Sequence, residues 1–157
     1  LSRTVGMVDK YFAGALPALP PSPTPYDKEI ADMATSMIAN VEERMDKLAF
    51  SEALIEIWNV VRRANKYIDE TAPWVLAKDE TKKGELANVL YHLAEILRIV
   101  AIAITPVMPS TPDYIYSQLS ITNPAHKDWE SAKAFGLTPR ELIVQKGPAA
   151  FPRKDKV

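Results

Sequence analysis

Trp58-Asn59-Val60-Val61-Arg62-Arg63-Ala64-Asn65-Lys66-Tyr67-Ile68-Asp69-Glu70-Thr71-Ala72-Pro73-Trp74 is the stretch whose reading decides the fold. Counted at 100° per residue from Leu54, the side chains of Ile57, Trp58, Val61 and Ile68 share one face, the period of an amphipathic helix. Asn65 falls in the middle of that face with Arg62 and Asp69 beside it. A buried amide there needs partners, because leaving one unpaired costs about 1–3 kcal/mol. We therefore expect Arg62, Asn65 and Asp69, with Tyr67, to brace the helix end. Pro73 lacks an N–H and disfavours helical geometry at Ala72, so the helix should stop there and hold Trp74 at a corner.

Outward from this stretch the chain reads as helices. Towards the N-terminus, Ile30, Ala34, Met37, Val41, Met45 and Leu48 step by three and four, predicting a bundle helix over about 26–48. Asp27 and Glu29 near its start suit the helix dipole. Ser51 is a candidate cap for the helix that ends at Thr71, with Phe50 and Leu54 extending the buried stripe. Leu1, Val5, Val8 and Phe12 predict a further helix, on which Arg3 and Lys10 share a face. Between the first two helices, Pro17, Pro20, Pro21, Pro23 and Pro25 impose an extended loop.

Beyond Trp74 lies the most hydrophobic helix, with Leu86, Leu90, Leu93, Leu97, Val100 and Ile104 as its spine and Pro106 and Pro109 at its end. Its apolar run falls short of the ~20 residues that span a bilayer, so it reads as a buried central helix. His92, Glu95 and Arg98 lie along one face and read as a surface ion pair with a neighbouring histidine. A shorter helix over Tyr114, Ile115, Gln118 and Leu119 follows. Residues 1–121 are thus expected to form an all-α bundle of about five helices. Residues 122–157, punctuated by Pro124, Gly136, Pro139, Gly147, Pro148 and Pro152, form an irregular tail. Within it Leu142-Ile143-Val144 suits a brief strand, and Phe151 an anchor in a pocket with Arg153 at its rim.

Composition narrows the function. The 157 residues carry a net charge of −1, so contact with phosphates must come from a local patch. There are no cysteines and hence no disulfides or thiolate metal sites, which fits the cytoplasm. Glycine-rich phosphate loops are absent, and no nucleophile is flanked by a base partner. His92 and His126 lack acidic ligand spacing for a metal. We expect no catalytic residue, no metal and no cofactor in this stretch, and a helical binding module in their place.

Arg62, Asn65-Lys66-Tyr67-Ile68 and Pro73-Trp74 resemble the anticodon-binding domain of class I aminoacyl-tRNA synthetases, within them the methionyl type. Three further places agree in the same order: Ser2-Arg3-Thr4-Val5-Gly6-Met7, Pro106-Val107-Met108-Pro109 and Phe151-Pro152-Arg153. The resemblance implies that Trp74 stacks on an anticodon base, that Pro73 shapes its corner and that Arg3 hydrogen-bonds to bases. It makes Lys10, Arg63, Lys66 and Lys78 candidates for tRNA phosphates, and gives Arg62, Asn65, Tyr67 and Asp69 the bracing role.

Several wider expectations come with it. The parent would be a methionine–tRNA ligase using ATP with Mg on a catalytic domain elsewhere in the polypeptide. Its partners would be the methionine tRNA anticodon loop and that catalytic domain, with neither membrane nor DNA involved. The family's partner asparagine would lie four residues before Arg3, ahead of Leu1. The chain therefore reads as part of a longer protein, and alone should bind tRNA poorly. Around Thr138-Pro139-Arg140-Glu141 the sequence departs from the glycine the family carries. Two alternatives remain: the anticodon domain of a valyl, leucyl, isoleucyl or cysteinyl enzyme, or a helical protein-interaction module that does not bind RNA.

Overall fold

In the computed structural model, which describes residues 1–17, 22–148 and 150–151, the chain is an all-α bundle with an irregular C-terminal segment. Six helices form in order: α1 Ser2–Phe12, α2 Asp27–Asp46, α3 Phe50–Thr71, the one-turn α4 Pro73–Leu76, α5 Lys83–Ile104 and α6 Thr111–Leu119. α5 is the axis, and every other helix packs against it. A helix surrounded on all sides must be apolar all round, which is what its sequence provides. By length and mean hydropathy (1.6 over its most apolar 18 residues) the Glu80–Ile104 segment is apolar enough to cross a membrane, longer than the sequence reading allowed; 94% of that window is buried inside the bundle.

The stripe on α2 packs largely where its spacing puts it, with Ile30, Ala34, Met37 and Val41 buried and Ile38 added to them. Leu48 does not belong to it: it is exposed and turns the chain between α2 and α3 at φ 59°. On α3 the structure corrects the expected face by about a quarter turn. The buried residues are Ala53, Ile57, Val60, Tyr67, Ile68 and Thr71, while Phe50 and Trp58 are partly exposed. Small Ala53 lets α3 approach its neighbours closely, whereas the bulk of the aromatic pair suggested the wrong side. Asn65, expected inside, is exposed in consequence. Nor does Ser51 cap the helix, whose N-cap is Ala49 with no side-chain bond.

The expectation of a surface ion pair at Glu95 and Arg98 is also corrected, since both side chains are fully buried. Arg98 Nε and Nη2 donate to the Glu95 carboxylate at 3.0 and 2.6 Å. The guanidinium also reaches the carbonyls of His126, Ser131 and Ala134 and the Ser131 hydroxyl. Glu95 accepts in turn from the backbone N–H groups of Gly136, Leu137 and Thr138, at 2.9, 3.1 and 2.8 Å, and from the Thr138 hydroxyl. The Tyr91 hydroxyl donates to the Thr138 carbonyl at 2.9 Å. One ion pair on the central helix therefore satisfies backbone groups of residues 126–138 that the short 3₁₀ turns at Pro124–His126 and Glu130–Lys133 leave open.

Farther along, the chain clasps the exit of α1. Leu16 N donates to Leu142 O at 2.7 Å, Glu141 N to Leu16 O at 3.0 Å and Val144 N to Gly14 O at 2.8 Å. The expected brief strand is thus reduced to a single antiparallel bridge, Ala15 with Ile143. Phe151 is exposed rather than pocketed, and Pro152 and Arg153, with Pro20 and Pro21, lie outside the described residues. Glu141 sits at φ 62°, in the left-handed region where a residue with a Cβ is disfavoured by about 1–2 kcal/mol. Glu141→Gly relieves that strain while loosening the unfolded chain by ~0.4–1 kcal/mol. We expect it to raise stability by up to about 1 kcal/mol in urea unfolding, whereas Glu141→Val should lower it.

Candidate nucleic-acid interface

Trp74 is placed by a short run of backbone geometry. Ala72, at φ 42°, closes α3 with its N–H on Ile68 O at 3.0 Å and starts α4 by accepting from Val75 N at 2.7 Å. Pro73 then occupies the first helical position, where its missing N–H costs nothing, and is itself buried. The proline thus ends one helix and begins another. Trp74 stands on this rigid turn with 42% of its surface exposed, next to exposed Val75.

The last turns of α3 are anchored from below. Tyr67 is completely buried, and its hydroxyl donates to Asp27 Oδ1 at 2.6 Å. Asp27 also accepts from the Asn88 amide and from Thr24 N at 2.7 Å, which joins the start of α2, α3 and α5 at one carboxylate. Burial opposes ionisation of Asp27, yet hydrogen bonds from Thr24 and Tyr67 outweigh it and hold its pKa below the usual carboxylate range. The sequence reading assigned Asp27 to the helix dipole and missed this junction. The signal was an acidic residue opposite a tyrosine that periodicity had not placed on the buried face.

Arg3 comes from another part of the chain. Thr4, Val5 and Val8 bury one face of α1 against the bundle, leaving Arg3 on the outer side. Its guanidinium carbon lies 5.9 Å from the centroid of the Trp74 ring, within cation–π range. One guanidinium nitrogen stands 3.8 Å from Asp69 Oδ1. Both partners of that ion pair are more than half exposed, and such pairs are worth about 0–1 kcal/mol. The contact orients Arg3 without preventing a ligand from drawing it away.

The remaining candidates divide. Arg63 is held by two carboxylates, Glu29 at 2.8 Å and Glu70 at 2.9 Å, with only 11% of its side chain exposed. That arrangement stitches α3 to α2 and removes Arg63 as a free phosphate contact. Lys66 reaches Glu70 at 3.5 Å from an otherwise exposed position. Lys10 lies over its neighbour Tyr11 at 5.2 Å and is exposed, as is Lys78 just after α4. Of the four expected bracing residues, Tyr67 is tied into the core, Arg62 donates to Asn59 at 2.6 Å, and Asp69 faces Arg3. Asn65 is exposed and lines a crevice between α1, α3 and α5.

The arrangement offers a flat π-face, a fixed fork of donors beside it and exposed lysines nearby, the parts needed to hold a single-stranded nucleotide. A larger open groove of about 930 Å³ lies between α2, α3 and the end of α5, and none of its lining residues belongs to this site. Among the described residues no cluster of three or more His, Cys, Asp or Glu side chains is placed to hold a metal.

Comparison with known proteins points the same way. A family model described as the anticodon-binding domain of tRNA ligase matches residues 27–148. Among curated relatives, the methionine–tRNA ligase of Caldanaerobacter subterraneus subsp. tengcongensis is 54% identical over 155 residues, covering 99% of this chain and 24% of that protein. Methionine–tRNA ligase 1 of Bacillus cereus is 46% identical over 153 residues, covering 98% of this chain and 23% of that one. The chain therefore spans about a quarter of the length of the relatives it matches. Among solved structures, apo methionyl-tRNA synthetase of Mycobacterium tuberculosis superposes with a TM-score of 0.87 at 28% identity, over 99% of this chain and 31% of that one.

Proposed function

The chain belongs to the anticodon-binding domain family of tRNA ligases, and from this we propose that it reads the anticodon loop of methionine tRNA for a methionyl-tRNA synthetase. The observation that carries the reading is the Arg3 guanidinium lying over the Trp74 ring, the two residues being supplied by separate helices. In the proposed complex an unstacked loop base lies on Trp74. Stacking contributes about 1–3 kcal/mol but is nearly blind to sequence. Discrimination then comes from Arg3, whose donors meet acceptors on a base edge as they leave Asp69. Lys10, Lys66 and Lys78 supply phosphate contacts, and Pro73 fixes the angle of the platform.

Joining of methionine to tRNA, with ATP and Mg, belongs in this reading to the catalytic domain of the same polypeptide, in the cytoplasm where translation runs. The longer relatives, methionine–tRNA ligases by name, support that assignment. The test is Trp74→Ala in the full-length enzyme. We expect kcat/KM for charging methionine tRNA to fall by about tenfold to a hundredfold, the kinetic equivalent of one lost stack. Amino-acid activation without tRNA should be unchanged. Unchanged charging would overturn the reading in favour of a protein-interaction module, and charging of a valine, leucine, isoleucine or cysteine tRNA would favour one of those enzymes.

A further inference from the structure

Positions 58, 62, 65 and 69 of α3 share one outward face, at steps of four, three and four residues. Two of the polar members have partners: Arg62 donates to Asn59 at 2.6 Å, and Asp69 stands 3.8 Å from Arg3. Asn65 lies between them, one turn or about 6 Å along the axis from Asp69. It is exposed, no partner for its amide is found among the described residues, and it borders the crevice of about 90 Å³ formed by Leu1, Thr4 of α1, Val61 and Ile68 of α3 and Leu93 and Leu97 of α5. An asparagine on a helix surface with no capping or bonding role adds little to folding, because its side chain competes with the helical backbone. At this place it shares the crevice lining with Thr4, the chain neighbour of Arg3.

We propose that Asn65 is a specificity-determining residue that hydrogen-bonds the edge of a loop base next to the one stacked on Trp74. The base class is one that presents an exocyclic amino group beside a ring-nitrogen acceptor, as adenine and cytosine do. The amide oxygen accepts from the amino group while the amide NH₂ donates to the ring nitrogen, a pairing that neither a lysine nor a carboxylate can make. Its position suits this division of labour. Trp74 supplies sequence-blind stacking, Arg3 supplies donors alone, and an amide adds the acceptor that tells an amino group from a carbonyl. The inference rests on the anticodon reading given above and assigns it a further residue.

The experiment uses the full-length protein and anticodon stem-loop RNAs, comparing loop adenine with purine and loop cytosine with its analogue lacking the amino group. Against the natural loop, Asn65→Ala should weaken binding about tenfold, while removing the amino group at one loop position should weaken the unsubstituted protein by a similar factor. That second loss should largely vanish in Asn65→Ala, because both changes delete the same contact. Asn65→Asp, which keeps shape but loses the donor, should behave like alanine. Equal losses on all loops without coupling, or no loss, would overturn the proposal. Trp74→Ala is measured in parallel. If it weakens binding and Asn65→Ala does not, the Asn65 assignment alone fails; if neither does, the anticodon reading fails with it.

Discussion

Replacing Arg98 with methionine is expected to destabilise the protein by about 3–5 kcal/mol, the usual cost of leaving one member of a buried ion pair without its partner. Glu95 would keep its N–H donors from Gly136, Leu137 and Thr138 but lose the cation paired with it. The carbonyls of His126 and Ala134 would lose the guanidinium as donor, and that of Ser131 would be left with the Ala134 N–H. A domain of ordinary stability holds only about 5–15 kcal/mol, so about a fifth or more is at stake. Buried ion pairs can often be exchanged for apolar residues at little cost, which makes Glu95→Leu with Arg98→Met an informative companion. Here it should not rescue, because the unpaired backbone groups of residues 126–138 remain. Hydrogen exchange supplies the second check. In the double variant, amides of Gly136, Leu137 and Thr138 should exchange much faster, while those in the middle of α2 and α3 stay protected. Rapid exchange throughout would mean that the pair supports the whole bundle rather than the segment laid across it.

The same pair shows where reading the sequence stopped. Long apolar stripes at helical spacing made α2 and α5 legible, and the turn at Ala72-Pro73 was explicit in proline chemistry. Glu95 and Arg98 were misread because an i,i+3 pair of opposite charge is normally a surface feature. The neglected signal was that α5 is apolar on every side, so its charges had no surface to reach. On α3 two aromatic residues outweighed Ala53 and Thr71 in setting the face, although small residues are what allow helices to close on one another. The error moved Asn65 inside and hid its availability. As for the site, periodicity never brought Arg3 to Trp74, which are 71 residues apart. A cross-chain contact of that kind leaves no local pattern, and only the resemblance paired them before the 5.9 Å separation was measured.

Acid should unfold the protein through Asp27 and Glu95 together, and Asp27→Asn should expose the share of the first. Burial raises both pKa values, but hydrogen bonds from Thr24 and Tyr67 in one case, and Arg98 with Thr138 and Leu137 in the other, leave both lowered. A carboxylate whose folded pKa lies below its unfolded value binds more protons when unfolded. Its contribution is therefore complete above the unfolded value, near 3.9 for Asp and 4.3 for Glu, and is lost as pH falls through the folded value. Stability measured by urea unfolding should be flat with respect to these two groups at neutral pH and drop steeply below about pH 4. Asp27→Asn keeps the size of the side chain and an acceptor for the Tyr67 hydroxyl. Its new NH₂, however, takes the place of Oδ2 and meets both the Thr24 N–H and the Asn88 amide, donor against donor. About 1–3 kcal/mol should be lost at pH 7. Because the original carboxylate becomes protonated in acid, the gap between the two proteins should narrow as pH falls and nearly close near pH 2, with a shallower acid limb in the variant. A gap that stays constant from pH 7 to pH 2 would mean that the Asp27 junction works through shape alone and that its charge contributes nothing to holding the α3 end beneath Trp74.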